Sequence, residues 1–76
     1  PCPMCFAAIH WARIGRLIYG TAIADVAWLG FNELILGNQQ MQELGRSPVA
    51  INPGFLADEC RQLLAEWAGM PGHQVY

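Results

Sequence analysis

The fold is decided by the first twenty residues, PCPMCFAAIHWARIGRLIYG (1–20). Cys2 and Cys5 are separated by two residues, and Pro3 suits an early helical position because the N–H that proline lacks has no helical partner there. No glycine interrupts residues 3–13, so the sequence predicts a helix over them. Two thiols three residues apart lie on one face of such a helix, about 5–6 Å apart at their Cβ atoms. The pair can therefore bind one metal ion, act in redox chemistry or close into a disulfide.

The rest of the chain alternates between helix and strand signals. Gly15 ends the first helix, Thr21 is a plausible N-cap for the second, and Gly30 can end it. The last helix is the clearest, because its apolar residues fall near one face. The predicted elements are a strand at 16–20, a helix at 21–30, a helix at 31–45 broken at Gly37, a strand at 47–51 and a helix at 55–68. The order α-β-α-β-α predicts an α/β layered fold with a sheet too small to stand alone.

The composition is unusually apolar for a chain of 76 residues, with 54% hydrophobic and 13% charged residues. A domain this small needs a proportionally large polar surface. A membrane span is not expected, because Arg13, Arg16 and Asp25 interrupt every apolar run of about 18–20 residues. We therefore expect the chain to bury its faces against further sequence or a partner, and the start at Pro1 agrees with that expectation.

Charge and cysteine usage narrow the class of partner and the compartment. The net charge is −2, and the four basic residues are scattered arginines rather than one basic face. Nucleic-acid binding depends on such a face, so a nucleic-acid partner is not expected. Three cysteines, with no basic region typical of a signal peptide at the start, predict a reducing, cytoplasmic setting with thiols used for metal binding or chemistry.

Counting ligands tests the zinc interpretation of the cysteine pair. Zinc takes four protein ligands in structural sites, and three plus water in catalytic ones. His10 lies five residues beyond Cys5, about 140° around the helix, so we expect it to be packed or hydrogen bonded instead. Cys60 is predicted to be a buried, inert thiol, and nothing favours His73. If Cys2 and Cys5 bind zinc, a third ligand from outside these residues is expected.

The first twenty residues resemble the second zinc motif, P-C-x-x-C, of the cytidine-deaminase-like superfamily, where the motif opens a helix that a strand follows. ADVAWLGFNE (24–33) is similar to the Asp-Ala-Ala-x-x-Gly-Phe-Asp-Asp stretch of bacterial guanine deaminases. GFLADECRQLL (54–64) looks like the tail helix of tRNA adenosine deaminases. The resemblance implies a three-layer α/β/α fold, of which residues 1–76 are the C-terminal part of a single deaminase domain.

The resemblance also implies a reaction. In that family one histidine and two cysteines hold a zinc ion whose bound water, as hydroxide, attacks the amino-bearing ring carbon and releases ammonia. A glutamate in a His-x-Glu motif moves the proton. Cys2 and Cys5 match the two cysteine ligands, whereas no His-x-Glu occurs in this sequence. Turnover is therefore expected to need the upstream half of the domain, and the family implies a homodimer.

Two further residues match substrate-contacting positions of guanine deaminases. Asp25 matches the first aspartate of the Asp-Ala-Ala stretch, and a carboxylate can accept two N–H bonds from the edge of guanine. Its structural alternative is a first-turn helix aspartate favoured by the dipole. Tyr76 matches a tail tyrosine that reaches the active site of a neighbouring subunit, and its alternative is a frayed terminus.

The leading hypothesis is therefore a zinc-dependent deaminase of a free purine base, with guanine first. The alternatives are a tRNA-specific adenosine deaminase, then a cytosine or cytidine deaminase, and then a non-enzymatic fragment or a Cys-x-x-Cys redox module. Aromatic residues at helical and strand spacing are predicted to be core rather than base-stacking positions: Phe6, Trp11, Tyr19, Trp28, Phe31 and Trp67.

Overall fold

Six elements make up the fold in a computed structural model that describes residues 1–76. They are α1 Pro3–Trp11, β1 Arg16–Ile18, α2 Ile23–Trp28, α3 Asn38–Gly45, β2 Ala50–Asn52 and α4 Ala57–Ala68. The mixture of helices with a small parallel sheet agrees with the predicted α/β class. The order α-β-α-β-α counts one helix between the strands, whereas the structure has two, α2 and α3, at the places of the predicted helices 21–30 and 31–45.

The two strands form a parallel pair. Arg16 lies opposite Ala50 and Ile18 opposite Asn52, and the Tyr19 amide extends the ladder by donating to the Asn52 carbonyl at 3.2 Å. Parallel neighbours cannot be joined by a tight hairpin, and here α2 and α3 form the crossover. The start of α1, the segment after α2 and the C-terminal tail carry the polar groups described below.

The region predicted as one broken helix, 31–45, is helical only in its second part. Gly30 ends α2 with a φ of 103°, a left-handed conformation that glycine adopts at low cost. Residues 31–37 are irregular, and α3 starts after Gly37, whose amide donates to the Gln40 side chain at 3.0 Å. The predicted strand at 47–51 is shorter and begins at Ala50.

The start of α2 also differs from the prediction. The N-cap is Ala22 rather than Thr21, and the Ala22 amide donates to Asp25 Oδ2 at 2.7 Å. An acidic residue in the third helical position can satisfy the N-cap amide in this way. The first helix and the last helix are confirmed: α1 starts as predicted and ends two residues early, and α4 starts two residues late and ends as predicted.

The buried core is very small. Phe6, Val49 and Ile23 are its apolar members, and the Asn38 side chain is buried with them. The prediction that six aromatic residues are core is wrong for Trp11 and Trp28, which are 79% and 91% exposed. A two-stranded sheet offers too little surface to cover them. None of the helices has the length and apolar character that crossing a bilayer requires.

Helix α4 approaches the end of β1 closely at Gly20. A Cβ atom at that position would lie 2.2 Å from Cys60 Sγ and 2.8 Å from the Phe55 carbonyl oxygen. Real side chains do not tolerate such contacts, so glycine is required for this approach. The Phe55 amide also donates to the Tyr19 carbonyl at 3.1 Å, which fixes the turn before α4 against the strand.

Candidate metal and substrate site

The cysteine pair lies at the start of α1. Cys2 is the N-cap residue in an extended conformation, and Cys5 is the third residue of the helix. Their Sγ atoms are 3.7 Å apart, and both thiols are free. A disulfide would need about 2.05 Å, whereas two sulfurs bound at 2.3 Å to one tetrahedral zinc are about 3.8 Å apart. The geometry therefore fits two of the four positions around a zinc ion.

Local electrostatics favour the thiolate form of Cys2. The Cys5 backbone amide and then the Cys5 thiol hold the pKa of Cys2 below its usual value, while the charge of Glu33 opposes them. Helix N-termini lower thiol pKa values in this way, because their free amides and dipole stabilise negative charge. Thiolate is the form that binds zinc, so the environment of Cys2 favours the form that a metal would need.

No other side chain completes a ligand set, since no group of three His, Cys, Asp or Glu residues is placed to hold a metal ion. His10 Nδ1 is hydrogen bonded to Ser47 Oγ at 2.8 Å, which confirms the structural interpretation of this histidine. His73 Nδ1 bonds the Met70 carbonyl at 2.8 Å. Cys60 is half-buried rather than buried, with Sγ 4.0 Å from the Phe55 carbonyl.

A cleft of about 190 Å³ adjoins the cysteine pair. Cys2 and Glu33 line it together with Thr21, Ala22 and Ile23 from the start of α2. It therefore combines a thiol, a carboxylate and an apolar wall. Pockets for drug-sized ligands are larger, about 300–1,000 Å³, so this cleft suits a smaller molecule.

Tyr76 contacts Glu33, one of the residues that line this cleft, within the same chain. Its hydroxyl donates to Glu33 Oε1, and its ring meets Phe31 edge-on with centroids 4.9 Å apart. The hydrogen bond to Glu33 is the main cause that raises the pKa of the Tyr76 phenol, followed by partial desolvation and the Glu33 charge. The structure thus brings the predicted site residue Tyr76 near the cysteine pair. Glu33 connects the two, because it binds the Tyr76 hydroxyl and lines the cleft with Cys2.

Asp25 has a different environment. Asp25 Oδ2 accepts a hydrogen bond from the Ala22 amide at 2.7 Å, and Oδ1 accepts one from Arg61 Nε at 3.0 Å. The Ala22 hydrogen bond first, and Arg61 second, hold the pKa of Asp25 below its usual value. Asp25 lines a separate groove of about 380 Å³ with Trp28 and Arg61, and it is not among the residues lining the cysteine cleft. Both carboxylate oxygens of Asp25 are therefore engaged in hydrogen bonds within the fold.

Glu33 is the site residue that sequence reasoning missed. Its signal lay in the GFNE stretch, where Glu33 stands opposite the second aspartate of Gly-Phe-Asp-Asp. Periodicity could not find it, because residues 31–37 form no regular element. Its bond to Tyr76 joins residues 43 positions apart, and no local pattern encodes such a contact.

Comparison with known proteins finds a short similarity. The chain is 46% identical over 33 residues to a guanine deaminase of Bacillus subtilis (strain 168), a match covering 43% of this chain and 21% of that protein. No family model matches, and no solved structure gives a significant match. The similarity is consistent with a relationship to hydrolytic deaminases.

Proposed function

We propose that this chain is part of a zinc-dependent hydrolytic deaminase of a purine base, with guanine, converted to xanthine and ammonia, as the first candidate. The observation that carries the proposal is the pair of free thiols at the start of α1, 3.7 Å apart. The short similarity to a guanine deaminase supports the same assignment. Cys2 and Cys5 supply two of the zinc ligands.

When bound, zinc lowers the pKa of a coordinated water towards neutrality, which is the chemistry that hydrolytic deamination needs. The residues of this chain hold the metal and orient the base. The first-turn amides of α1 favour the Cys2 thiolate, and the cleft beside it offers the apolar side chains of Ala22 and Ile23 to one face of a small ring. The third zinc ligand and the proton-transferring glutamate are assigned to the upstream half of the domain.

We assign base recognition to the carboxylate of Glu33. The sequence alone predicts Asp25 for this role. One Glu33 oxygen accepts the Tyr76 hydroxyl, which leaves the other to accept N–H bonds from an amino-purine edge. Hydrogen bonds to a charged acceptor are worth about 1.5–3 kcal/mol each. Asp25 would first have to break its bonds to Ala22 and Arg61.

A tRNA-specific adenosine deaminase is the second candidate, favoured by the GFLADECRQLL sequence that includes most of α4. The scattered arginines argue for a small molecule instead, because RNA binding needs several basic groups on one face. Under either candidate we propose that the exposed apolar side chains, Trp28 foremost, are covered by the upstream half of the domain or by a second subunit of a cytoplasmic homodimer.

Zinc content of the full-length protein tests the ligand assignment. We expect one zinc per chain by elemental mass spectrometry, lost in Cys2→Ala and Cys5→Ala and retained in Cys60→Ala. The last variant removes a cysteine that takes no part in the pair. Stoichiometric zinc in Cys2→Ala or Cys5→Ala would refute the assignment. Ammonia release from guanine, adenosine in RNA and cytosine then ranks the substrates.

A further inference from the structure

Three consecutive residues after α2 all contact Tyr76. The Phe31 ring meets the Tyr76 ring, the Glu33 carboxylate accepts the phenol, and Asn32 binds the main chain between them. The Phe31 ring also stacks on Trp67 of α4, with centroids 5.5 Å apart. The tail is therefore held at ring, backbone and hydroxyl by one short segment.

Asn32 makes the most specific of these contacts. Its backbone N–H donates to the Tyr76 carbonyl oxygen at 2.8 Å, and its side-chain Nδ2 donates to the same oxygen at 2.9 Å. A carbonyl has two lone pairs, so one oxygen can accept both bonds. Two donors from one residue fix the main chain of Tyr76 in position as well as in direction.

We propose that Asn32 is a positioning residue that sets the Tyr76 phenol on Glu33, and through that pair shapes base recognition at the cleft. The inference rests on the proposed function, since Tyr76 and Glu33 are there assigned to the base. Asn32 itself touches neither the cleft nor the cysteines. It acts by holding the backbone from which the phenol projects.

The residue type matters for this role. An amide side chain supplies an N–H donor, whereas the isosteric aspartate offers only acceptors. Asn32→Asp would therefore place a negative charge against the Tyr76 carbonyl and beside the Glu33 carboxylate. Asn32→Ala removes the side-chain donor and leaves the backbone bond. The two variants thus give a graded loss of the same contact.

Amide hydrogen exchange in the full-length protein tests the contact without any assay of activity. We expect exchange at the residue 32 amide, which donates to the Tyr76 carbonyl, to rise about three- to ten-fold in Asn32→Ala, the range that one lost hydrogen bond gives, and further in Asn32→Asp. Gln39→Glu, an exposed amide-to-acid change on α3, should leave exchange at this amide unchanged. Unaltered exchange at residue 32 in Asn32→Asp would overturn the proposal.

Steady-state kinetics with guanine test the positioning role. We expect KM to rise about three- to ten-fold in Asn32→Ala with kcat within two-fold, because binding is weakened and chemistry is not. On a Tyr76→Ala background the same substitution should change nothing, since no phenol remains to position. A lower kcat at constant KM, or an undiminished effect on that background, would overturn the proposal. A full-length protein without deaminase activity would refute the proposed function, whereas the contact is judged by exchange alone.

Discussion

Asp25 and Glu33 are two carboxylates in neighbouring parts of the chain with opposite uses. Asp25 lies inside α2, and its two oxygens accept the Ala22 amide and the Arg61 guanidinium. Glu33 lies in the irregular segment after α2 and lines the cleft beside Cys2. One carboxylate joins α2 to α4, and the other is held by a side chain from the C-terminal tail.

The difference shows how the environment assigns a role to a chemical group. Hydrogen bonds from an amide and an arginine stabilise the charge of Asp25 and lower its pKa, which is typical of a structural carboxylate. Glu33 instead accepts the Tyr76 hydroxyl, which raises the pKa of that phenol, and its charge opposes the lowering of the Cys2 pKa. A carboxylate that binds a phenol and lines a cleft with a thiol is the better candidate for contact with substrate.

Glu33→Gln gives the sharpest test of this comparison. We expect kcat/KM for guanine in the full-length protein to fall about 10- to 100-fold, because hydrogen bonds from the base to a charged acceptor become bonds to a neutral one. Glu43→Gln, an exposed position on α3, serves as the matched control and should be neutral. Equal kinetics for the Glu33 and Glu43 variants would remove Glu33 from the site.

Tyr76→Phe should have a smaller effect. The ring contact with Phe31 and the backbone bonds from Asn32 are kept, and only the hydrogen bond to Glu33 is lost. We expect KM for guanine to rise about two- to ten-fold, the equivalent of one hydrogen bond. A loss as large as that of Glu33→Gln would mean that the phenol contacts the base directly rather than through Glu33.

Asp25→Asn should change activity least and stability most clearly. We expect guanine turnover within two-fold of the unaltered protein and a loss of about 0.5–1 kcal/mol in the free energy of unfolding at pH 7. The folded state lowers the pKa of Asp25 from 3.8, so its stabilisation is present above that pH and is lost as the pH falls through the folded pKa.

Urea unfolding of the unaltered protein and of Asp25→Asn between pH 7 and pH 3 measures the difference in their free energies of unfolding. This difference should narrow below about pH 4. A large fall in turnover without a change in stability would restore Asp25 as the base-contacting carboxylate. A constant stability difference across that pH range would show that the charge of Asp25 is not what joins α2 to α4.

Elements held by interactions between residues close in sequence could be predicted, and those held by residues far apart in sequence could not. The first and last helices could be read from local signals, namely Pro3 near the start of α1 and the apolar face of α4. The segment 31–37 could not, because its first three residues contact Tyr76, which lies more than 40 residues further along. Exposure of Trp28 was missed for a related reason, since periodicity shows which residues could share a face and not whether anything covers it.

The sequence by itself determined the cysteine pair, because residues three apart at the start of a helix are held together by local backbone geometry. It also determined the α/β class and the positions of the first and last helices. Only the tertiary structure decided which carboxylate lies at the cleft, through contacts that span 36 residues for Asp25 with Arg61 and 43 for Glu33 with Tyr76. Such contacts form when separate elements pack together, and no local spacing in the chain encodes that packing.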